Sequence, residues 1–179
     1  MKSRTVMSLL AAAVLLGAGM GHAADQAEPA QNPLDVIPDK MPFSVPYGAP
    51  ISLQRAQAAA QAAVTEATRR GWQLNIAVVD SGANLVTFVR MDGAQLASIA
   101  ISEHKARTAV KFRRPTRAFE DAIQKSDLKY ALTLDDIIAS RGGIPLVEGG
   151  KIIGGIGCSG GTGSQDEAVC SAAAATINK

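Results

Sequence analysis

One segment indicates the type of sheet in this protein, because it holds two short apolar runs joined by a pair of glycines. It is Gly142-Gly-Ile-Pro-Leu-Val-Glu-Gly-Gly-Lys-Ile-Ile-Gly-Gly-Ile-Gly157. The pair, Gly149 and Gly150, can adopt the positive φ angles of a tight hairpin turn without steric cost. The pattern predicts a β-hairpin with strands over 142–148 and 151–157. Because a hairpin requires antiparallel strands, the sheet that contains it is antiparallel at this point.

A second hairpin is predicted upstream. Residues 74–80 form an apolar run rich in β-branched side chains, and Ser81-Gly-Ala-Asn84 has the composition of a turn. Residues 85–90 then have the pattern of the returning strand. Two hairpins favour one antiparallel sheet over a parallel sheet of the Rossmann type.

Helical periodicity surrounds both hairpins. Ser52 is a good N-cap, an alanine-rich stripe follows it at helical spacing, and Gly71 ends the segment. Near the C-terminus, Ser164 and Glu167 have the spacing of a capping box. The pattern predicts helices over 52–70, 95–111, 116–124 and 164–174, with one or two further turns within 134–140. The fold class is therefore an α/β sandwich around one antiparallel sheet.

The N-terminus has the three parts of a secretory signal peptide. Lys2 and Arg4 precede the apolar run Met7–Leu16, and small residues follow as far as Ala23. The run is too short to span a bilayer, so we expect cleavage after residue 23 and a periplasmic or secreted protein without stable membrane insertion. An uncleaved membrane anchor is the alternative.

Residues 24–50 form a proline-rich arm. Prolines recur about every fourth residue from Pro29 to Pro50, which removes amide donors and favours extended, polyproline-like backbone. Apolar side chains are interleaved with these prolines, whereas a flexible linker is more polar. We expect the arm to lie against folded protein, its own or a neighbouring subunit's, and residues 51–179 to form the folded domain.

Composition excludes several classes of protein. The chain has 179 residues, of which 47% are hydrophobic, and it carries 18 basic and 16 acidic side chains. These values argue against intrinsic disorder and against a general nucleic-acid binder. Loss of the signal would also remove His22 and leave His104 as the last imidazole, which excludes a metal site built from several histidines.

The two cysteines leave two interpretations open. Cys158 is predicted at the end of a strand and Cys170 inside the last helix, so two buried thiols are as compatible with the sequence as a disulfide in an oxidising compartment. Their spacing excludes a CxxC redox pair.

The glycine-rich segment 154–163 lies between a predicted strand and a predicted helix, where backbone amides can bind an anion. It lacks the Gly-Lys-Ser/Thr ending of a phosphate-binding Walker loop, and Asp166 and Glu167 would repel a phosphate. Contact with a ligand and a purely structural turn both remain possible for this loop.

A basic segment follows the middle of the chain. A solvated helix face and a rim for an anionic ligand, or for an acidic partner subunit, both explain such a run. Arg90 can likewise pair with a carboxylate or bind an anionic ligand. The cations of the segment are Lys105, Arg107, Lys111, Arg113, Arg114 and Arg117.

Catalytic patterns are weak. No Gly-x-Ser-x-Gly elbow is present, and the adjacent pairs Asp135-Asp136 and Asp166-Glu167 would point apart on a helix. The sequence favours a binding protein over an enzyme without deciding between them.

Six ordered motifs resemble the GlcG/HbpS family, over about residues 51–177. They are Val78-Val-Asp-Ser-Gly, Arg90-Met-Asp-Gly-Ala, Lys105-Ala-x-Thr-Ala, Arg114-Pro-Thr, Gly142-Gly-Ile-Pro and Ile156-Gly-Cys-Ser-Gly-Gly-x-Gly-x-Gln-Asp-Glu. The resemblance implies a profilin-like α/β/α sandwich with a central five-stranded antiparallel sheet, and self-assembly into a homo-oligomer. It further implies, in secreted members, binding of haem and sequestration of haem or its iron.

The resemblance also directs attention to particular side chains. His104 is the expected metal ligand, with Thr108 or a methionine such as Met91 as substitutes, because imidazole is a natural axial donor to haem iron. Lys105, Arg113 and Arg90 complete the expected cofactor-binding set, since haem propionates are anionic. With only 4% aromatic residues, a shallow site at a subunit interface is favoured over a deep pocket.

Two other functions remain open. Other family members belong to corrinoid or glycolate pathways, so the chain could be an enzyme or accessory protein that binds a small organic anion at the glycine-rich loop. A scaffold subunit without a ligand is the third possibility.

Overall fold

A computed structural model describes residues 35–178. Contacts divide the chain into the units Met1–Pro38 and Asp39–Lys179, and the helices and strands named below lie in the second unit. The predicted signal peptide and the first part of the predicted arm lie outside the described residues. Within the described range, no helix has both the length and the apolar character needed to cross a membrane.

The order of elements agrees with the sequence pattern of helix, hairpin, helices, hairpin, helix. They are α1 (Leu53–Arg70), β1 (Asn75–Asp80), β2 (Leu85–Arg90), α2 (Ser98–Lys111), α3 (Arg117–Ser126), a 3₁₀ helix (Lys129–Thr133), β3 (Gly143–Glu148), β4 (Lys151–Ser159) and α4 (Gly163–Ala174). Within 134–140, where one or two further turns were predicted, the structure has a turn at residues 135–136, and the 3₁₀ helix lies just before that range.

The sheet is antiparallel, but it has four strands in the order β2-β1-β4-β3 rather than the expected five. The nearest equivalent of a fifth strand is an isolated parallel bridge between Tyr47 and Ile152. Pro46 and Pro50 flank this bridge and have no amide hydrogen to donate, so a longer ladder cannot form here. The expectation of five strands is therefore corrected to four in the described part of the chain.

Side chains of β1 alternate between the two faces of the sheet. Ile76 and Val78 belong to the apolar cluster under α1 and α4, whereas Ala77 and Val79 belong to the cluster under α2. Helices therefore cover both faces of the sheet, which gives the predicted three-layer α/β/α arrangement.

Helix α2 lies unusually close to the sheet because glycines form the floor beneath it. A Cβ atom on Gly157 would lie 2.0 Å from the carbonyl oxygen of Ser102, and one on Gly143 would lie 2.3 Å from that of Lys105. Any side chain at these positions would push the helix away. Most of the glycine-rich segment in β4 thus serves packing.

The start of α4 differs from the prediction. Thr162 Oγ1 accepts a hydrogen bond from the amide of Gln165, and Gln165 Oε1 accepts one from the amide of Thr162. The capping box is therefore Thr162/Gln165 and not Ser164/Glu167, which has the same spacing two residues later. The earlier start places Asp166 in the first turn of the helix.

The cysteine alternatives are resolved in favour of a disulfide. Cys158 of β4 and Cys170 of α4 are joined by an S–S bond of 2.10 Å, and both residues are fully buried. The bond fixes α4 to the face of the sheet opposite α2.

Replacing Gly157 with Ala is expected to lower the free energy of unfolding by about 2 kcal/mol or more, because the new methyl group would overlap the backbone of α2. Guanidinium denaturation of the purified protein measures the change. Gly82→Ala is the matched control, since its Cβ would meet only the side chains of Asn84 and Asp80 in an exposed turn. Equal stability of the two variants would contradict the role assigned to the glycine floor.

Candidate functional site

The outer face of α2 is the surface that points away from the sheet. It consists of Ala97 at the start of the helix, then Ala100, His104, Arg107 and Lys111, which recur at three- and four-residue spacing. The two alanines and Lys111 are exposed, and the other two residues are half-buried. Small apolar side chains therefore occupy the first half of this face and cations the second.

His104 lies at the centre of the outer face of α2. The imidazole is one helical turn from Ala100, and its half-buried position leaves it reachable from solvent. It is the only histidine in the described part of the chain. Residues 35–178 contain no group of three His, Cys, Asp or Glu side chains able to hold a bare metal ion. A metal bound here would therefore need most of its ligands from elsewhere, as haem iron does from the porphyrin.

The cations of the outer face have carboxylate neighbours. Lys111 Nζ lies 2.6 Å from Asp136 Oδ2, and Arg107 Nη2 lies 3.0 Å from Glu103 Oε2. The hydrogen bond from Lys111 is the main reason that the pKa of Asp136 lies below its usual value, with smaller contributions from the charges of Lys111, His104 and Arg107. The Lys111–Asp136 pair is exposed and the Arg107–Glu103 pair is partly exposed. Surface pairs are worth at most about 1 kcal/mol, so an incoming carboxylate can take the place of Asp136 or Glu103.

Lys105 has a different environment from its neighbour His104. Its side chain is 1% exposed, and Nζ donates to Asp166 Oδ2 at 2.7 Å and to the carbonyl oxygen of Cys158 at 3.2 Å. Burial raises the pKa of Asp166, while the Lys105 charge and the amides of Gly160 and Gly161 oppose that effect. The geometry gives Lys105 the structural role of joining α2 to α4, and it does not direct the ammonium to the surface.

Thr108 is also turned inward. Its hydroxyl donates to the carbonyl oxygen of Asp136 at 2.8 Å and accepts from the amide of Ile138 at 3.2 Å. The side chain is fully buried and holds the loop 136–138 against α2. Using this oxygen as a metal ligand would require both hydrogen bonds to break.

The two predicted arginines, Arg90 and Arg113, lie outside α2 and are not part of its outer face. Arg90 is exposed at the end of the edge strand β2, paired in register with Asn75. Arg113 follows the C-terminus of α2 and borders a groove of about 250 Å³. Met91, the substitute ligand, is half-buried and packs against the core cluster under α1 and α4. Of the predicted side chains, the structure thus leaves His104 alone on the outer face of α2.

The end of the glycine-rich segment borders a small cleft of about 200 Å³. Trp72, Gln73, Gly160, Gly161 and Gln165 are among its lining residues. The amide of Gly161 donates to Asp166 Oδ1 at 3.0 Å. Because a buried carboxylate already uses this loop amide, the loop is poorly arranged to receive a second anion.

Both clefts are small for a cofactor. At about 200 Å³ and 250 Å³, they fall below the range of roughly 300–1,000 Å³ that is common for enclosed small-molecule sites. Neither of these clefts has room for a large planar ligand, and an open face suits such a ligand better.

Comparison with known proteins identifies the family to which this sequence is similar. The HbpS-like family, described as haem degrading protein HbpS-like, matches residues 51–175. The chain belongs to the HbpS-like family. The predicted GlcG/HbpS resemblance is thereby confirmed. Protein GlcG of Escherichia coli K12 is 39% identical over 94 residues, which are 52% of this chain and 69% of GlcG.

Solved structures of similar proteins have the same fold. The crystal structure of HbpS matches with a TM-score of 0.66 and 32% identity, covering 76% of this chain and 96% of HbpS. The crystal structure of a PduOC–haem complex matches with a TM-score of 0.65 and 28% identity, covering 73% of this chain and 96% of PduOC. Haem is therefore bound by one protein that shares this HbpS-like fold.

The sequence pattern places Arg107 and Lys111 in the basic segment but does not assign either residue to the haem site. Their spacing from His104, three and seven residues, was the available signal. The partnership of Lys105 with Asp166 had no such signal, because the two residues are 61 positions apart.

Replacing Lys105 with Met is expected to lower the free energy of unfolding by about 3–5 kcal/mol, because it leaves the Asp166 carboxylate buried without its partner. The double variant Lys105→Met/Asp166→Leu should recover most of that loss, since it removes both charges. Chemical denaturation of the wild type, both single variants and the double variant measures the coupling. Additive losses in the double variant would show that the pair is not coupled in the folded protein.

Proposed function

We propose that this protein binds haem on the outer face of α2 and sequesters haem or its iron. His104 is the axial ligand in this proposal. The observation that carries it is the position of His104, a reachable imidazole between two exposed alanines and two cations. Haem iron accepts an imidazole nitrogen as an axial ligand, and the porphyrin supplies the remaining nitrogen donors.

The neighbours of His104 suit the two parts of a porphyrin. Ala97 and Ala100 offer a flat apolar surface on which a ring can lie, because neither side chain projects beyond a methyl group. Arg107 and Lys111 can exchange Glu103 and Asp136, which lie at the surface and are partly or fully exposed, for haem propionates at little cost. Arg107 and Lys111 thus take the place proposed from sequence for Lys105, whose ammonium is buried.

The proposal includes self-association and export. A ring lying on an open helix face would leave its other face in water unless a second protomer covered it, so a homo-oligomer suits this site. Membership of the HbpS-like family and the haem complex of PduOC support the choice of ligand.

The signal-like N-terminus supports a periplasmic or secreted location.

The alternative is a small-molecule enzyme or accessory protein, of organic-anion or corrinoid chemistry, acting at the glycine-rich loop. The cleft beside Gly160 and Gly161 favours it. Asp166 counts against it, since its carboxylate accepts the Gly161 amide that an anion would need. Thermal stabilisation by small carboxylates or phosphates that involves this cleft, without any response to hemin, would support the alternative.

Titration with hemin is expected to give a shifted Soret band in the wild-type protein, and His104→Ala should weaken binding by at least about tenfold. Substituting a residue that only hydrogen-bonds to a metal ligand commonly lowers metal affinity about 10–100-fold, so loss of the ligand itself should lower affinity by no less. Arg90→Gln is the matched control, since Arg90 is an exposed cation on another element.

The possible outcomes test the identity of the ligand and the identity of the binding residue separately. No Soret shift with the wild type would end the haem proposal. A normal shift with unchanged affinity in His104→Ala would retain haem but exclude His104 as the ligand.

Export predicts a mature protein that begins at Ala24. Expression of the full chain in a Gram-negative host, followed by fractionation and intact-mass measurement of the periplasmic protein, gives the position of cleavage. Replacing Ala23 with Arg should block processing, because the small residue before the cleavage site would be lost. Accumulation of the uncleaved wild-type chain in the membrane fraction would instead favour the anchor.

A further inference from the structure

Arg113 occupies a backbone position that favours glycine. Helix α2 ends at Lys111, and Arg113 two residues later has φ 54°. Its amide donates to Val110 O at 3.1 Å, and the amide of Arg114 donates to Ala109 O at 3.2 Å, so the helix ends in a left-handed turn. Glycine is common here because a side chain is strained in this conformation. Arginine at this position therefore carries a backbone strain that glycine would avoid.

The Arg113 side chain borders an apolar groove between the end of α2 and strands β3 and β4. The groove has a volume of about 250 Å³. Its other lining residues are mainly aliphatic: Val45, Pro115, Ile144, Pro145, Val147, Ile152 and Asn178.

The amide group of Asn178 is already engaged. Asn178 Nδ2 donates to Pro145 O at 3.1 Å, and Asn178 Oδ1 accepts from the amide of Val147 at 2.8 Å. These bonds satisfy one amide and one carbonyl group at the outer edge of β3, as hydrogen bonds to a neighbouring strand would. Arg113 is therefore the groove residue that brings a charge to it.

Arg113 differs from two cations near it, Lys111 and Arg117. Lys111 and Arg117 lie within 4 Å of carboxylate oxygens, whereas Arg113 makes no ion pair with any residue in the range 35–178. Its guanidinium carbon lies 5.9 Å from the centre of the Tyr47 ring. The Tyr47 hydroxyl lies 3.1 Å from the carbonyl oxygens of Val110 and Lys111 and shares its one proton between them, which holds that ring in place. The result is an oriented cation without an anion, beside an apolar groove.

We propose that this groove binds a small molecule that has an apolar body and a single carboxylate, with the carboxylate on Arg113. An isolated guanidinium is matched by one carboxylate, because a charge-assisted hydrogen bond in a fork geometry satisfies both groups. The volume limits the ligand to a short chain or a single ring, below the usual size for a cofactor. The site is separate from the outer face of α2 and does not depend on haem binding.

Calorimetric titration of the purified full chain with sodium hexanoate tests the proposal, with hexanol and acetate as matched probes. Hexanoate should bind at least about tenfold more tightly than either, because hexanol lacks the charge and acetate lacks the apolar chain. Arg113→Gln should lose about tenfold in hexanoate affinity, and Arg90→Gln should be unchanged.

Two further variants guard against misfolding. Arg113→Gly should leave the melting temperature of the unliganded protein level or higher, since glycine suits the left-handed position, while hexanoate binding is lost. Val45→Phe keeps the cation but fills the groove, and should also lose hexanoate binding.

Three results would overturn the proposal. They are equal affinity for hexanol and hexanoate, unchanged hexanoate binding in Arg113→Gly, and displacement of hexanoate by stoichiometric hemin. The last would make the groove part of a haem site. A hemin titration that fails in the wild type leaves the groove untouched, so the two proposals fail independently.

Discussion

The contact between the backbone of α2 and the glycine floor of the sheet sets the orientation of α2 and of the side chains it carries. Gly157 and Gly143 have no side chains, so carbonyl oxygens of α2 lie where Cβ atoms would otherwise be. This contact fixes the rotation of the helix about its own axis. Ser102 and Ala106 must then face the sheet, and His104 must face away from it. The orientation of the candidate ligand thus follows from missing side chains on the strands.

Close approach of the helix also sorts the basic segment into groups with different physical roles. Lys105 is carried into the interior, where it must be paired and where Asp166 pairs it. Lys111 stays at the surface with an exchangeable carboxylate. Arg114 stacks on Phe43 and Phe119, with its guanidinium carbon 3.4 Å and 4.7 Å from the ring centres, and burial lowers its pKa. A run of cations that is uniform in sequence is therefore divided by burial, and few of its charges remain available to a ligand.

Local features of the sequence predicted the elements well and their long-range relations poorly. Both hairpins and the four α-helices were predictable, because turn glycines such as Gly149 and helical periodicity are properties of neighbouring residues. The number of strands was not predictable, because it depends on how the arm meets β4. The Thr162 cap was not predictable either, because two capping-box patterns overlap at the start of α4. For the candidate site, helical spacing predicted which residues of α2 share a face with His104. The inward position of Lys105 depends on a partner in α4 and could not be predicted from its neighbours.

The shallow outer face of α2 links the proposed ligand to self-association. An enclosed site would let one chain bind a porphyrin alone. The two clefts described within residues 35–178 are too small for that, and the outer face of α2 has only the depth of its alanine side chains. A ring held on such a face gains contact area mainly by being covered from the other side. If a second protomer provides that cover, haem stabilises the assembly and the assembly strengthens haem binding by the same factor. The alanines beside His104 would then serve two partners at once, because small side chains admit both a flat ring and the approach of another chain.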